Sequence, residues 1–368
     1  MKENKKPIKK EYFTVKQLDK IAQDGDYIFL IGERANGKSY SVKSRCLLDC
    51  YESIKGNICY KQLAYMRRYD LDNKDSKCTA YFADMPIQEI TDGKYTLVTV
   101  FRKDIYFGHM DDKGKVVRDV KIGHTFSIGA SEHEKSLMYP HMYNVIFEEV
   151  IAMTGTYLYN EPILFMHAIS SILRDTRGKV YMIGNTISRM CPYYTEFNLN
   201  AEHLKEGESN VILIDDENCE VMSKIVVHRC KSSGYNSGMF FGRANESITR
   251  GQYITELYPH LKKKIKDYRV VYTCVLEYDG FKYLMNLIYY DEDKDYVWYV
   301  QPKTSEIQKD TRLITNNLNR GGRRITSRFN GITPQEDLIF KRLFDGTKVY
   351  YSDNLTGTEF TRILPNFR

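Results

Sequence analysis

Gly32-Glu33-Arg34-Ala35-Asn36-Gly37-Lys38-Ser39 fills every fixed position of the phosphate-binding pattern G-x-x-x-x-G-K-[ST]. Its flanks match what that pattern needs. Tyr27-Ile28-Phe29-Leu30-Ile31 is a short apolar run that reads as a buried strand, and Ser39 to Cys50 carries no Gly or Pro and reads as the helix that follows. Glycines let the backbone wrap a triphosphate, so that amide N–H groups of Gly32, Glu33, Arg34, Ala35, Asn36 and Gly37 and the helix N-terminus face the anion. Lys38 then reaches the β- and γ-phosphates and the Ser39 hydroxyl binds Mg²⁺. The expected ligands are ATP and Mg²⁺.

Working outward, the chain of 368 residues exceeds one ordinary core and suggests two domains. No apolar stretch approaches a membrane span, and Met1-Lys2-Glu3-Asn4-Lys5-Lys6 lacks the apolar segment of a signal peptide. The eight cysteines form no C-x-x-C pair and no Cys/His group with zinc spacing, so they read as reduced thiols of a cytoplasmic protein. A net charge of +6 hints at a polyanionic partner and no more.

The first half alternates strands (27–31, 58–66, 144–150, 179–184) with helical stretches, the signature of an α/β domain with a parallel sheet. Lys94 to Ser131 reads as an antiparallel hairpin insertion, broken at Asp111-Asp112-Lys113-Gly114. Residues 198–250 are polar and glycine-punctuated and read as a connection. From Asp267 the texture becomes strand-rich: Tyr268–Tyr278, Phe281–Tyr290 and Tyr296–Val300, the first two joined by the turn signal Asp279-Gly280, with a closing helix at 334–345. The expected division is an ATPase domain over 1–200, a linker region over 201–250 and a smaller α+β domain over 251–368.

A P-loop needs a carboxylate at the end of a neighbouring strand beside a group that activates water. Asn144-Val145-Ile146-Phe147-Glu148-Glu149 supplies both, with Glu148 on the Mg²⁺ side and Glu149 as general base. Adjacent residues of an extended strand point to opposite faces, so the strand end must bend for both to act. Asp is the usual first acid; Glu148 is one methylene longer, which leaves the division of roles open on sequence alone. The strand 180–183 ends in Gly184-Asn185, and Asn185 is the candidate γ-phosphate sensor of an ATPase with a strand added between the P-loop and acidic strands. Arg174 and Arg177 lie just before that strand, where an arginine can project onto a neighbouring subunit's γ-phosphate or simply end a helix. Arg67-Arg68 and Lys135 could face phosphate, a neighbouring subunit or solvent.

Together these stretches resemble the DNA-packaging ATPases (encapsidation proteins) of the small phi-twenty-nine-type podophages. The matching segments are 29–32 with 37–40, Met66-Arg67-Arg68-Tyr69, Glu134-Lys135-Ser136 with Tyr139-Pro140, Val145-Ile146-Phe147-Glu148-Glu149 and Gly184-Asn185, and more thinly Phe241-Gly242-Arg243. The resemblance implies an additional-strand P-loop ATPase domain and a C-terminal domain similar to an RNase-H-like nuclease that has lost its active site. It also implies a homo-oligomeric ring, a pentamer, docked through a packaging RNA on the capsid portal (connector) and moving double-stranded DNA. That places the chain in the infected host's cytoplasm and transiently at the portal vertex, not in the mature virion. Carried over by residue, Lys38 and Ser39 bind nucleotide and Mg²⁺, Glu148 is the metal-side acid, Glu149 is the catalytic glutamate and Asn185 the sensor. Arg174 becomes the trans-acting finger, with Arg177 as the alternative; Asp70 stands where a relative has lysine and takes no such role.

In the second domain, Asp279, Asp291, Glu292, Asp293 and Asp295 fall in turns rather than in strands, so a working two-metal nuclease is not expected. Lys262-Lys263-Lys264 with Lys266, and Arg320, Arg323, Arg324 and Arg328, are candidate phosphate-backbone contacts. The alternatives to a packaging motor are a ring helicase or translocase of the same ATPase class, and, from another class, a P-loop kinase.

Overall fold

The computed structural model describes residues 11–69, 74–130, 138–152, 157–174, 176–185, 191–199, 201, 204–214, 223–233, 257–278, 281–291, 294–303, 311–316, 325–326, 328–329 and 334–367. Contacts divide the chain into two compact units, one of residues 1–152 and 157–252, the other of 153–156 and 253–368.

The first unit is built on a nine-stranded sheet. In chain order its elements are α1 (Val15–Ala22), β1 (Tyr27–Gly32), α2 (Lys38–Ser53), the short pair β2 (Ile54–Lys55) and β3 (Ile58–Cys59), β4 (Gln62–Arg67), α3 (Lys74–Tyr81), α4 (Ile87–Ile90), β5 (Leu97–Phe101), β6 (Asp104–Met110) and β7 (Val116–Ser127). There follow β8 (Met142–Glu148), α5 (Glu161–Ile172), β9 (Lys179–Asn185), α6 (Pro192–Glu196), β10 (Ser209–Ile214) and β11 (Ser223–Arg229). The sheet order is β10-β11-β1-β9-β8-β4-β7-β6-β5. Pairings from β11 through β7 are parallel, and the two edges are antiparallel.

Alternation along the strands feeds two cores, one on each sheet face. Ile28 and Leu30 join Leu18, Val42, Leu47 and Phe82 on the face carrying α1, α2 and α3. Phe29 and Ile31 join Phe147, Phe165, Ile169 and Tyr193 on the face carrying α5 and α6. Strands covered on both faces read as unbroken apolar runs, which is why β1 and β8 are conspicuous in the sequence. Thr14 begins α1 with a capping box, its side chain taking the Gln17 N–H at 3.3 Å while Gln17 Oε1 takes the Thr14 N–H at 2.9 Å.

Three expectations are revised. The stretch 201–250 is not all connection: β10 and β11 belong to the sheet, and β11 lies parallel to β1 with Tyr27 opposite Ile225. β10 hides from periodicity because it is an edge strand, exposed along most of its length. The antiparallel hairpin expected over 94–131 is present, turning at Asp111–Lys115, but it is not set apart: β7 pairs in parallel with β4, so β5–β7 extend the main sheet. The strand expected over 58–66 is two, β3 and β4, paired to different partners.

The second unit has a six-stranded sheet, β16-β15-β12-β13-β14-β17, formed by β12 (Arg269–Tyr278), β13 (Phe281–Tyr290), β14 (Asp295–Pro302), β15 (Arg312–Thr315), β16 (Ile325–Thr326) and β17 (Val349–Tyr351). β12–β14 are an antiparallel meander, flanked by parallel β15, β16 and β17. Helix α7 (Pro334–Phe344) covers it, Phe340 stacking on Trp298 at 5.7 Å while the Trp298 indole donates to the Ile339 carbonyl at 2.9 Å. Helix α8 (Asn354–Ile363) buries Phe360. The Asp279-Gly280 turn, Glu292, Asp293, Asp70, the segment around Lys135, Phe241-Gly242-Arg243 and Arg320, Arg323 and Arg324 lie outside the described residues.

Candidate nucleotide site

Strand β9 lies between β1 and β8, and its last residue, Asn185, is level with Gly32. Three chain segments therefore end side by side at the C-terminal edge of the parallel sheet, where α/β folds open a crevice for ligands. Arg34–Ser39 of the loop, Glu148, Glu149 and Asn185 border a cleft of about 820 Å³, together with Tyr12, Phe13, Thr14, Tyr40 and Asp84, while Gly32 and Glu33 do not line it.

The loop's geometry depends on its glycine. Gly37 has φ +96°, and a Cβ there would sit 2.7 Å from the Phe13 carbonyl oxygen, so both conformation and space require glycine. The segment before α1 in turn braces the loop: the Phe13 N–H donates to the Asn36 carbonyl at 2.8 Å and the Ser41 hydroxyl to the Phe13 carbonyl at 2.7 Å. Lys38 is buried, and its ammonium donates to the carbonyls of Gly32 (3.2 Å) and Glu33 (2.5 Å) and to Asn36 Oδ1 (3.1 Å). Burial lowers its pKa to about 8, against the opposing pull of the Cys230, Glu148 and Glu33 side chains. This ammonium is folded onto its own loop, within reach of any anion seated there.

Glu148 ends β8, and burial raises its pKa against hydrogen bonds from the Tyr81 and Ser39 hydroxyls and the charges of Lys38 and Lys43. Glu149 leaves the strand with φ +57°. That left-handed turn is the bend needed for consecutive carboxylates to border one cleft, and it is a conformation a glutamate adopts only at some cost. Glu149 is largely exposed and faces Arg67 at 3.5 Å. The donor set fits a hard, oxygen-seeking cation: one carboxylate touching the hydroxyl that opens α2, with room for phosphate oxygens and water. No cluster of three or more His, Cys, Asp or Glu able to hold a metal occurs among the described residues.

Arg67 and Arg68 part ways. Arg68 is buried, its Nε donating to Glu161 at 2.7 Å and its Nη2 to the Val150 carbonyl at 3.0 Å. Neither phosphate, neighbour nor solvent, it holds the exit of β8 to α5. Arg174 and Arg177 are exposed and do not border the cleft. Arg177 pairs with Asp26, which precedes β1, at 3.8 Å. Both arginines thus lie at the opposite edge of the sheet, before the start of β9, whose seven residues end at Asn185, roughly 20 Å of strand. Tyr12, Asp84, Tyr81 and Cys230 were not singled out by sequence, and Tyr40 only as the last residue of the matching segment 37–40; of these Tyr12 carries a signal, as an aromatic close to the loop in sequence.

A P-loop strand, an interposed strand ending in a polar residue and an acidic strand, in that order, define an additional-strand P-loop fold. The sequence model of the podovirus DNA encapsidation protein (Gp16) family matches residues 9–331, and the chain belongs to that family. Among solved structures, the bacteriophage phi-29 viral genome packaging motor assembly is similar at TM-score 0.54 and 17% identity, over 97% of this chain and 99% of that one. The phi-28 gp11 DNA packaging motor is similar at TM-score 0.52 and 16% identity, over 97% and 98%. The N-terminal domain of the DNA packaging ATPase from bacteriophage phi29 shares 23% identity over 61% of this chain and 97% of that one, at TM-score 0.43. Curated protein sequences yield no match.

Proposed function

We propose that this chain hydrolyses ATP to drive double-stranded DNA into a preformed capsid. The observation that carries the reading is the alignment of Lys38 and Ser39, Asn185, and Glu148 with Glu149 at one sheet edge, in a member of the encapsidation family. In this scheme Lys38 exchanges its loop carbonyls for β- and γ-phosphate oxygens, and Asn185 orients a water. Glu149 takes the water's proton as its oxygen attacks the γ-phosphorus and the bond to the β–γ bridging oxygen breaks, giving ADP and phosphate. Ser39 and Glu148 would hold Mg²⁺, which when bound would neutralise charge on the phosphates. Arg174 stands too far from Asn185 to act within its own subunit, so it completes a neighbour's site in a ring, which fits the pentamer expected from the resemblance.

The second unit is proposed as the RNase-H-like domain, supported by its meander flanked by parallel strands. Asp295 is engaged by Arg342 and Lys348 rather than presented for a metal, in keeping with a domain that no longer cuts. Lys262, Lys263, Lys264, Lys266 and Arg328 remain the candidate contacts to DNA or packaging RNA. Purified protein, empty capsids, packaging RNA, DNA and ATP, scored by protection of the DNA from nuclease, test the reading. Protection that requires ATP and disappears in Lys38→Ala is expected; strand separation of a tailed duplex without capsids would point to a helicase instead. No described helix is long and apolar enough to cross a membrane.

A further inference from the structure

Tyr81, the last residue of α3, donates its phenol proton to Glu148 Oε1 at 2.7 Å. The Ser39 hydroxyl lies close enough to the same carboxylate to favour its charged form. Few freedoms remain to the tyrosine. Its ring stacks on Tyr65 with centroids 4.2 Å apart and 15° between planes, and meets Phe82 edge-on at 5.0 Å. The Lys43 ammonium sits 4.8 Å from the ring centroid and donates to the Tyr81 carbonyl at 2.9 Å, which ties α3 to the buried side of α2. Tyr65 belongs to β4, which pairs with β8, so the platform under the ring and the carboxylate above it are fixed by the same sheet. A tyrosine that only filled space could aim its hydroxyl at solvent or any carbonyl; this one is aimed at the acid that closes the metal side of the cleft.

The length of that acid gives the contact a purpose. A glutamate has one more rotatable bond than the aspartate usual at this position, and a looser carboxylate is a poorer partner for a metal that demands strict octahedral geometry. We infer that Tyr81 is a positioning residue for the metal: its hydroxyl fixes the Glu148 carboxylate beside Ser39 and so sets the affinity for the divalent cation, not for the nucleotide. The inference rests on the proposed role of Glu148. Groups that hydrogen-bond a ligating side chain typically change metal affinity by about 10- to 100-fold when removed.

The test is a titration of Mn²⁺ into the full chain with ATPγS, following free Mn²⁺ by electron paramagnetic resonance. Tyr81→Phe, which keeps the ring and its stacking, should raise the Mn²⁺ half-saturation about tenfold. ATPγS binding in EDTA should stay within error and the thermal midpoint should fall by no more than a few degrees. In a Glu148→Asp background, whose carboxylate is drawn back from the phenol, Tyr81→Phe should change Mn²⁺ affinity by less than about twofold. An unchanged Mn²⁺ midpoint in Tyr81→Phe would overturn the inference. So would equal losses of Mn²⁺ and metal-free nucleotide binding, since a general packing role predicts that. Because no hydrolysis is needed, a chain without ATPase activity would refute the function proposed above while the Mn²⁺ midpoints still decide the role of Tyr81.

Discussion

Glu33, the second residue of the phosphate loop, is clamped by Ser233: both the Ser233 N–H and its hydroxyl donate to Glu33 Oε1, while Ser232 Oγ donates to Oε2 at 2.8 Å. The loop is thereby bound to the chain leaving β11, some 200 residues later. Two further bonds reinforce the seam, from the Cys230 N–H to the Ile31 carbonyl at 2.8 Å and from Asn36 Nδ2 to the Lys231 carbonyl at 3.4 Å. A buried carboxylate with three donors is satisfied; removing it strands those donors. Glu33→Ala is expected to cost about 3 kcal/mol, seen as a lower thermal midpoint and faster hydrogen exchange at the Ser233 amide. Unchanged exchange there would show that the clamp is not what orders the segment.

Lys38 gives a prediction with a sign. In the free chain its pKa is about 8 because burial disfavours the charge. A bound triphosphate favours the charge and raises the pKa, so between the two values binding takes up a proton and affinity falls as pH rises. Calorimetry of ATPγS binding in EDTA near pH 8.5, in buffers of different ionisation enthalpy, should show net proton uptake. Lys38→Met should abolish that uptake. Equal uptake in the variant would assign the proton to another group.

Arg68 and Glu161 form a buried ion pair at 2.7 Å, and Glu161 also accepts from the Tyr193 hydroxyl at 3.0 Å and the Leu158 N–H at 2.9 Å. Breaking such a pair from one side leaves a charge without its partner, which costs about 3–5 kcal/mol. Arg68→Met should therefore lower the thermal midpoint of the first unit sharply. By contrast Arg67→Met, which removes the ion pair with the largely exposed Glu149, should cost under about 1 kcal/mol. Equal losses would mean that the two arginines are not divided into a buried strut and a cleft residue.

How legible each part was follows from the range of its contacts. The phosphate loop and the acidic strand are written within eight and six consecutive residues, because hydrogen bonding along one loop and burial along one strand impose local patterns. The added strand could be guessed from Asn185, yet its place between β1 and β8 is a matter of pairing that only the fold fixes. β10 was lost in a polar stretch since an edge strand needs no apolar alternation on both faces, and the interior β11 offers only the short apolar run Ile225-Val226-Val227 within polar surroundings. The Glu33 clamp, the Arg68 strut and the Tyr81 contact join residues 67 to 200 positions apart, and no spacing rule connects them.

As the proposed base, Glu149 should separate binding from turnover. It borders the cleft without touching Lys38 or the Ser39 hydroxyl in any hydrogen bond among the described residues. Glu149→Gln keeps size and shape and removes the proposed base, so ATPγS affinity should stay within about twofold while kcat falls by at least about 10²-fold. Retained hydrolysis would move the role of base to Glu148 or elsewhere.

The position of Arg174, at the sheet edge opposite Asn185, sets up a complementation experiment. If each arginine serves a neighbour, a subunit carrying Arg174→Ala still has an intact loop and Glu149, and lacks only what it would give away. A subunit carrying Glu149→Gln has a dead site but a working Arg174 to lend. Each homogeneous ring should be inactive, because every site lacks one of the two groups. In mixed rings, the sites of Arg174→Ala subunits that sit beside Glu149→Gln subunits in the correct order are complete. For random assembly at equal ratio, about a quarter of the interfaces have that order, so ATPase activity should return to roughly a quarter of the wild-type value if such sites fire independently. The same mixture made with Arg177→Ala, a residue engaged with Asp26 within its own subunit, distinguishes the two candidates. If Arg174 is the finger, Arg177→Ala rings are active unmixed. Mixed assemblies verified by mass that recover no activity would place the missing positive charge inside the subunit, with Arg34 and Arg67, which lie at or beside the cleft, as the groups to examine next.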